Sequence, residues 1–148
     1  MKKPNQYVVF TIDRHRFALR LSDVRRVVRM VELTAVPEAP AFIAGMINVQ
    51  GELLPVVNTR RRFRLRERDA TVNDQLIIAT ARGRTGALIA DSVIGVIEEC
   101  EESMTATGNV VPGVELVDGM LKTEDGIVLL QDPDVLGLDW RPRTEVAE

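Results

Sequence analysis

Side chains that could carry out chemistry are few in this chain, and the single histidine is the first to consider. His15 lies in a polar turn between Arg14 and Arg16. A general base must be buried or paired to have its pKa tuned, so a histidine in such a turn is more typical of a solvated position. The sequence also contains no glycine-rich phosphate loop followed by Lys and Ser or Thr, no His-x-x-x-His pair and no Gly-x-Ser-x-Gly elbow. We therefore predict that the protein is not an enzyme.

The only cysteine, Cys100, lies within an acidic stretch. One cysteine allows no intrachain disulfide and no thiolate metal site, and the neighbouring carboxylates disfavour the reactive thiolate. Those neighbours are Glu98, Glu99, Glu101 and Glu102. They lack the alternating spacing and the glycine of a calcium loop, so we interpret them as a solvated strand end. The sequence indicates no metal and no cofactor.

A run of six arginines occupies residues 60–68 of a chain whose net charge is -3. Such a run can clamp the phosphates of nucleic acid. It can equally face a protein, because the planar guanidinium pairs with carboxylates and arginine is enriched at protein interfaces. Phe63 is the only aromatic residue in the run, whereas single-strand platforms interleave several. We therefore favour a solvated or protein-facing surface and keep nucleic-acid binding as the lesser alternative.

The composition is that of a folded protein without a membrane segment. The chain has 148 residues, of which 45% are hydrophobic and 28% charged. This length leaves room for one domain with a substantial core or for two small barrels that share one. No apolar run approaches the roughly 18 residues that span a bilayer, and the first residues lead into a strand pattern rather than a signal peptide. We expect a cytoplasmic protein with no direct membrane insertion.

The central stretch of the chain, residues 45–58, predicts a β-hairpin. Two apolar segments flank Gln50 and Gly51, and glycine accepts the positive φ of a tight turn without steric cost. Apolar side chains occur on both faces of both strands, so we expect the hairpin to be buried between layers. Pro55 cannot donate a ladder hydrogen bond and therefore predicts an edge, a bulge or a bend.

A short amphipathic helix is predicted after an opening hairpin, with Ser22 as its N-cap and Asp23 in its first turn. Four valines then recur at i, i+3, i+4 and i+7, the spacing of one apolar helical stripe: Val24, Val27, Val28 and Val31. Valine is a weak helix former, so tertiary packing would have to stabilise this helix.

The rest of the chain predicts short strands separated by turns. Strands are expected at residues 7–12, 17–21, 75–81 and 86–97. Gly95 indicates a bulge in the last of these. They are followed by a loop at residues 103–112, a hairpin at 113–131, a short helix or turn from Asp132, and a polar, frayed tail from about residue 139. Nine or ten strands with one helix indicate an all-β fold, and the basic run divides the chain into halves that we expect to form two small packed barrels.

Residues 40–58 read Pro-Ala-Phe-Ile-Ala-Gly-Met-Ile-Asn-Val-Gln-Gly-Glu-Leu-Leu-Pro-Val-Val-Asn, with Phe63 behind them. This pattern resembles the central signature of the bacterial chemotaxis coupling protein family, CheW. Residues 7–10 resemble the opening hairpin of that family, and residues 117–119 with 125–130 resemble its closing one. The similarity extends over about residues 6–138.

The resemblance implies two intimately packed, five-stranded SH3-like β-barrels with a shared apolar interior, interwoven into a single CheW-like domain over residues 1–148. It also implies a non-catalytic adaptor. Such an adaptor links the cytoplasmic tip of chemoreceptors to the regulatory domain of a histidine kinase and places kinase autophosphorylation under receptor control. It would lie at receptor arrays beneath the inner membrane.

The resemblance implies receptor binding by Val24, Arg26, Val27 and Gln50, with the two valines as apolar anchors unless they only pack in the core. The family usually has an arginine at the position of Gln50 and often a glutamate at that of Arg26. A compensating relocation of charge is one hypothesis. Another is a CheW-like scaffold of a different signalling system that lacks ordinary receptor binding.

Kinase binding is predicted to use exposed apolar residues at the start of the central hairpin. These are Phe42, Ile43 and Met46. A nucleic-acid-binding β-barrel remains as the third possibility, and it would need residues 60–68 to form one continuous cationic face.

Overall fold

The computed structural model of the chain describes residues 5–99, 104–105 and 117–142. In chain order the strands are β1 (Asn5–Ile12), β2 (His15–Arg20), β3 (Val24–Arg29), β4 (Ile43–Val49), β5 (Glu52–Val57), β6 (Gln75–Ala81), β7 (Arg84–Ala90), β8 (Ser92–Glu99), β9 (Met104–Thr105), β10 (Val117–Thr123) and β11 (Gly126–Gln131). The short helix α1 spans Thr59–Arg62, and 3-10 turns occupy Leu21–Asp23 and Pro133–Val135.

The architecture is all-β, as predicted, and the strands form two sheets. The first sheet has the strand order β8-β1-β2-β11-β10-β9, and the second has the order β3-β6-β7-β5-β4. Each sheet has five main strands, because β9 contributes only two residues to the first.

The two halves of the chain exchange hairpins between the sheets. The hairpin β1–β2 joins β8, β10 and β11 from the second half, whereas the hairpin β6–β7 joins β3, β4 and β5 from the first half. The joining pair is parallel in both sheets, β2 beside β11 and β7 beside β5. Since each sheet takes strands from both halves, neither half can complete a sheet alone.

Alternating side chains of each sheet divide between a cluster of its own and a core shared by both sheets. The first sheet's own cluster contains Tyr7, Val9, Ala18, Leu121, Val128 and Leu130. The second sheet's own cluster contains Ile47, Leu54, Val56, Leu76, Ile78 and Ala87. The shared core includes Phe10, Phe17, Leu19, Val57, Ile77, Leu88, Leu136 and Leu138. Two sheets that each enclose one cluster and share a third correspond to the predicted pair of packed barrels.

The predicted helix at residues 24–31 is wrong, because β3 occupies most of this stretch. A β-bulge explains the misleading spacing. The register between β3 and β6 shifts by one residue at Arg25, which reverses the alternation of the strand. Val24 and Val27 therefore reach the same shared core although they are three residues apart, and Val28 packs on the second sheet's own cluster. β-branched valine also suits a strand better than a helix.

The predicted central hairpin is confirmed as β4 and β5, with Gln50 and Gly51 in the turn at φ values of 51° and 86°. Its burial between layers is only partial, since Leu53 is 63% exposed. Pro55 is buried opposite Met46, and β5 pairs with β7 only beyond it. The residue without an N–H thus precedes the parallel ladder, as a proline must.

The second half differs from the prediction at three places. The long strand expected at residues 86–97 is two strands, β7 and β8, divided at Asp91, and Gly95 lies beside a register shift as expected. The predicted loop contains β9. The tail is packed as far as the structure describes it, because Trp140 contacts the shared core and Arg141 donates a 2.9 Å hydrogen bond to the carbonyl of Thr85.

Some predictions fall outside the described residues. They concern Cys100, Glu101, Glu102, the rest of the loop at 103–112, the first four residues of the hairpin at 113–131, and the tail from residue 143 onwards.

Candidate functional site

The strand β3 forms one edge of the second sheet and carries three of the four residues predicted for receptor binding. Val24 and Val27 are half-buried and pack against the shared core, so both contribute to the fold. Arg26 is paired with Ile78, whose side chain belongs to the second sheet's own cluster. Val24 and Val27 thus lie on the face of the strand towards the shared core, and Arg26 lies on the other face.

Arg26 and Gln50 meet at one small pocket of about 190 Å³. The pocket is lined by Arg25, Arg26, Val49, Gln50, Glu52, Leu54 and Ile78. Gln50 is exposed in the turn between β4 and β5. The side-chain oxygen of Asn48 accepts a 2.8 Å hydrogen bond from the N–H of Gly51, which stabilises that turn and the position of Gln50. The structure therefore brings the two polar residues of the predicted receptor site together.

The charges of this pocket are not balanced. Arg25 donates a 3.1 Å hydrogen bond to the hydroxyl of Thr85 and lies 3.5 Å from a carboxylate oxygen of Glu52. Arg26 has no hydrogen bond or ion pair with any residue in the described part of the chain. One half-buried guanidinium is thus left facing the pocket.

The three residues predicted for kinase binding differ in exposure. Ile43 is 8% exposed and lies opposite Val57 in the shared core, so its prediction as an exposed contact is wrong. Phe42 is half-buried, and the guanidinium of Arg62 lies 5.0 Å from its ring centroid. Met46 is half-buried on β4, the other edge of the second sheet.

The arginine run does not form one continuous cationic face. Its start is the helix α1, for which Asn58 is the N-cap, accepting a 3.2 Å hydrogen bond from the N–H of Arg61. Arg61 pairs with Glu67 at 2.9 Å, and Arg62 donates a hydrogen bond to a backbone carbonyl of the last 3-10 turn. Several arginines of the run are therefore engaged in ion pairs and hydrogen bonds with other residues of the same chain.

Arg60, the buried member of the run, connects the two sheets. Its guanidinium donates to both carboxylate oxygens of Asp13 at 2.9 Å and to those of Asp91 at 2.7 and 2.9 Å. Asp13 lies in the β1–β2 turn, Asp91 lies between β7 and β8, and Arg60 lies in α1 after β5. The hydrogen bond between Arg60 and Asp13 holds the pKa of Asp13 below its ordinary value and the pKa of Arg60 above its ordinary value.

Arg68 extends this ion network to Asp74, since its guanidinium lies 2.7 Å from a carboxylate oxygen of Asp74 and 2.7 Å from one of Asp91. Burial opposes the ionisation of Asp74, but hydrogen bonds from Arg68 and from the N–H of Thr71 outweigh it and lower the pKa of Asp74. A cavity of about 390 Å³ lies beside the network, and both Arg60 and Arg68 contribute to its lining. No local sequence pattern predicts this network, because its carboxylates come from distant turns and share no spacing.

Three possibilities raised by the sequence remain: the histidine, a metal site and a membrane segment. His15 is exposed at the start of β2, as predicted. Among the residues that the structure describes, no three His, Cys, Asp or Glu side chains gather as a metal site would require. In the same part of the chain no helix has the length and apolarity to cross a bilayer.

Comparison with known proteins gives one consistent family. The model of the CheW-like domain matches residues 6–137. The chemotaxis protein CheW of Treponema pallidum is 23% identical over 133 residues, which cover 86% of this chain and 78% of that protein. The chemotaxis protein CheW of Rhizobium meliloti is 24% identical over 131 residues, which cover 87% of this chain and 84% of that protein.

A solved structure agrees with these relatives. The crystal structure of the scaffolding protein TtCheW from Thermoanaerobacter tengcongensis matches with a TM-score of 0.81 at 32% identity, covering 87% of this chain and 89% of that one. The match extends across both sheets, since it leaves out only a small part of the chain. The chain belongs to the CheW family of chemotaxis scaffold proteins.

Proposed function

We propose that this chain is a non-catalytic adaptor that binds the cytoplasmic tip of a chemoreceptor and the regulatory domain of a chemotaxis histidine kinase. Membership of the CheW family and the fold shared with a CheW scaffolding protein support this proposal. Kinase autophosphorylation would then come under receptor control. The protein would act in the cytoplasm, at receptor arrays beneath the inner membrane, as one domain of two interwoven barrels over residues 1–148.

The receptor-binding surface that we propose is the β3 edge with the adjoining turn. The observation that carries it is the pocket at which Arg26 and Gln50 meet, although Arg26 belongs to β3 and Gln50 to the turn between β4 and β5. Val24 and Val27 are half-buried, so each can pack on the core and still present part of its surface to a partner. Polar residues at the pocket would set specificity, and the valines would contribute apolar contact.

The kinase-binding surface that we propose lies at the opposite edge of the second sheet, on β4 and β5. Met46 lies opposite Pro55, and strand alternation turns Leu53 to the same face as Pro55. Leu53 is 63% exposed near the turn of this hairpin, and Phe42 is half-buried at its other end, just before β4. One exposed leucine beside half-buried apolar side chains on an edge hairpin suits a protein partner. Ile43 has no part in this surface, because it lies in the shared core.

A CheW-like scaffold without ordinary receptor binding is the second candidate. The observation that favours it is the neutral Gln50 in the turn, while the cation lies on β3 as Arg26, which has no partner among the described residues. Nucleic-acid binding has lost its support, because much of the arginine run is engaged with carboxylates and carbonyls of the protein itself.

Calorimetric titration of the purified protein against a kinase regulatory domain and, separately, a receptor tip tests the proposal. Binding to both supports the adaptor. Kinase binding without receptor binding identifies the divergent scaffold. Binding to neither rejects both functions, and only the family and the fold then remain established.

A further inference from the structure

The pocket between β3 and the β4–β5 turn contains two guanidinium groups and one carboxylate. Glu52 already lies 3.5 Å from Arg25, and Arg25 also donates to the hydroxyl of Thr85. The second guanidinium, Arg26, meets no carboxylate within the described part of the chain. The site therefore carries one positive charge that no residue in the described part of the chain neutralises.

The other walls of the pocket indicate the shape of what would neutralise it. Leu54 is 1% exposed and Ile78 is 3% exposed, so the inner wall is aliphatic and firmly packed. Gln50 adds an amide, which can donate a hydrogen bond, at the exposed rim. An aliphatic wall beside a guanidinium and an amide complements a side chain with a short apolar stem and a carboxylate end.

The size of the pocket separates two classes of occupant. Pockets for free small molecules usually enclose about 300–1,000 Å³, whereas this one encloses about 190 Å³ and opens beside an edge strand. A single side chain that projects from another protein suits it better than a free metabolite does.

We infer that this pocket receives a glutamate or aspartate side chain of the receptor tip, which forms an ion pair with Arg26 and a hydrogen bond with Gln50. The inference rests on the proposed function, because it names what the receptor-binding surface recognises. It makes Arg26 a specificity-determining residue: a receptor with a basic or neutral side chain at the contact point would leave the guanidinium desolvated without a partner.

The test is calorimetric titration of the receptor tip with Arg26→Gln, Arg26→Glu and the control Arg29→Gln. Arg29 lies on the same strand and carries the same charge, but it is exposed and lies outside the pocket. Arg26→Gln should weaken binding about tenfold and Arg26→Glu about a hundredfold or more, while Arg29→Gln should change it less than about threefold. Arg26→Lys should retain part of the affinity, because it keeps the charge and loses the planar fork.

Affinity for the kinase regulatory domain serves as the folding control and should not change in any of the four variants. A scan of Glu→Arg and Asp→Arg changes in the receptor tip should contain one that restores binding to Arg26→Glu. Equal losses for Arg26→Gln and Arg29→Gln would overturn the inference while the adaptor function stands. If the unmodified chain binds the kinase domain but no receptor tip, the receptor part of the proposed function fails, and the inference fails with it.

Discussion

Replacing Arg60 by methionine tests whether the ion network stabilises the two-sheet architecture. The change removes the guanidinium but keeps a long apolar stem, so the lost interactions are mainly those with Asp13, Asp91 and the carbonyl of Arg66. The side chain of Arg60 is 10% exposed and that of Asp91 is 24% exposed, while Asp13 is 47% exposed. Water can therefore replace part of what Asp13 loses, but less of what Asp91 loses.

The magnitude follows from these exposures. Removing one partner of a fully buried ion pair costs about 3–5 kcal/mol, whereas an exposed pair contributes about 0–1 kcal/mol. Arg60 is buried but its partners are partly hydrated, so we expect Arg60→Met to lower the free energy of unfolding by about 2–3 kcal/mol. That loss is large beside the roughly 5–15 kcal/mol that stabilises a typical domain.

The neighbouring Arg61 supplies a matched control. Its pair with Glu67 has a similar length, 2.9 Å, but the two side chains are 50% and 48% exposed. Arg61→Met should therefore cost less than about 1 kcal/mol. Urea unfolding can be followed by the fluorescence of Trp140, the only tryptophan, which contacts the shared core. Equal losses for the two variants would refute the reasoning, because they would show that burial of the network adds nothing.

Three further changes test other parts of the structure. Burial opposes the ionisation of Asp74, but hydrogen bonds lower its pKa below 3.8; the carboxylate therefore stabilises the fold above about pH 4 and loses this effect as the pH falls through the lowered value. Asp74→Asn should flatten the decline in unfolding free energy between about pH 5 and pH 3, and an unchanged decline would contradict this. Gly86→Ala should destabilise the fold by about 1–3 kcal/mol in thermal unfolding, because the new methyl group would overlap the carbonyl of Leu138. Met46→Glu should weaken kinase-domain binding about tenfold or more in calorimetry, whereas Ile127→Glu, at an aliphatic residue 59% exposed on the first sheet, should not.

Local patterns predicted most strands but failed at β3. The valines there recur at a helical spacing, and the same spacing arises in a strand when a bulge adds one residue. A bulge depends on how β3 pairs with β6, and β6 begins more than forty residues later in the chain. Periodicity within the segment could not distinguish these two cases, although the β-branched residues pointed towards a strand.

The candidate site shows the same limit. Arg26 and Gln50 were predicted as members of one surface from the family resemblance, and the structure brings them to one pocket. Ile43 was predicted as an exposed contact, but its pairing opposite Val57 places it in the shared core. Exposure of an apolar residue depends on which strands flank it, and the local sequence does not state that.

The sequence by itself determined the all-β class, the central hairpin and the family, because turn residues, β-branched runs and an ordered motif act over a few positions. Only the tertiary structure decided that the halves exchange hairpins, that an arginine run predicted as surface contributes the buried Arg60 to a partly hydrated ion network, and that Arg26 faces a pocket without a partner in the described residues. The reason is physical. An arginine has the same local sequence signature whether it is hydrated or paired, and its partners Asp13 and Asp91 come within reach only after distant strands have joined.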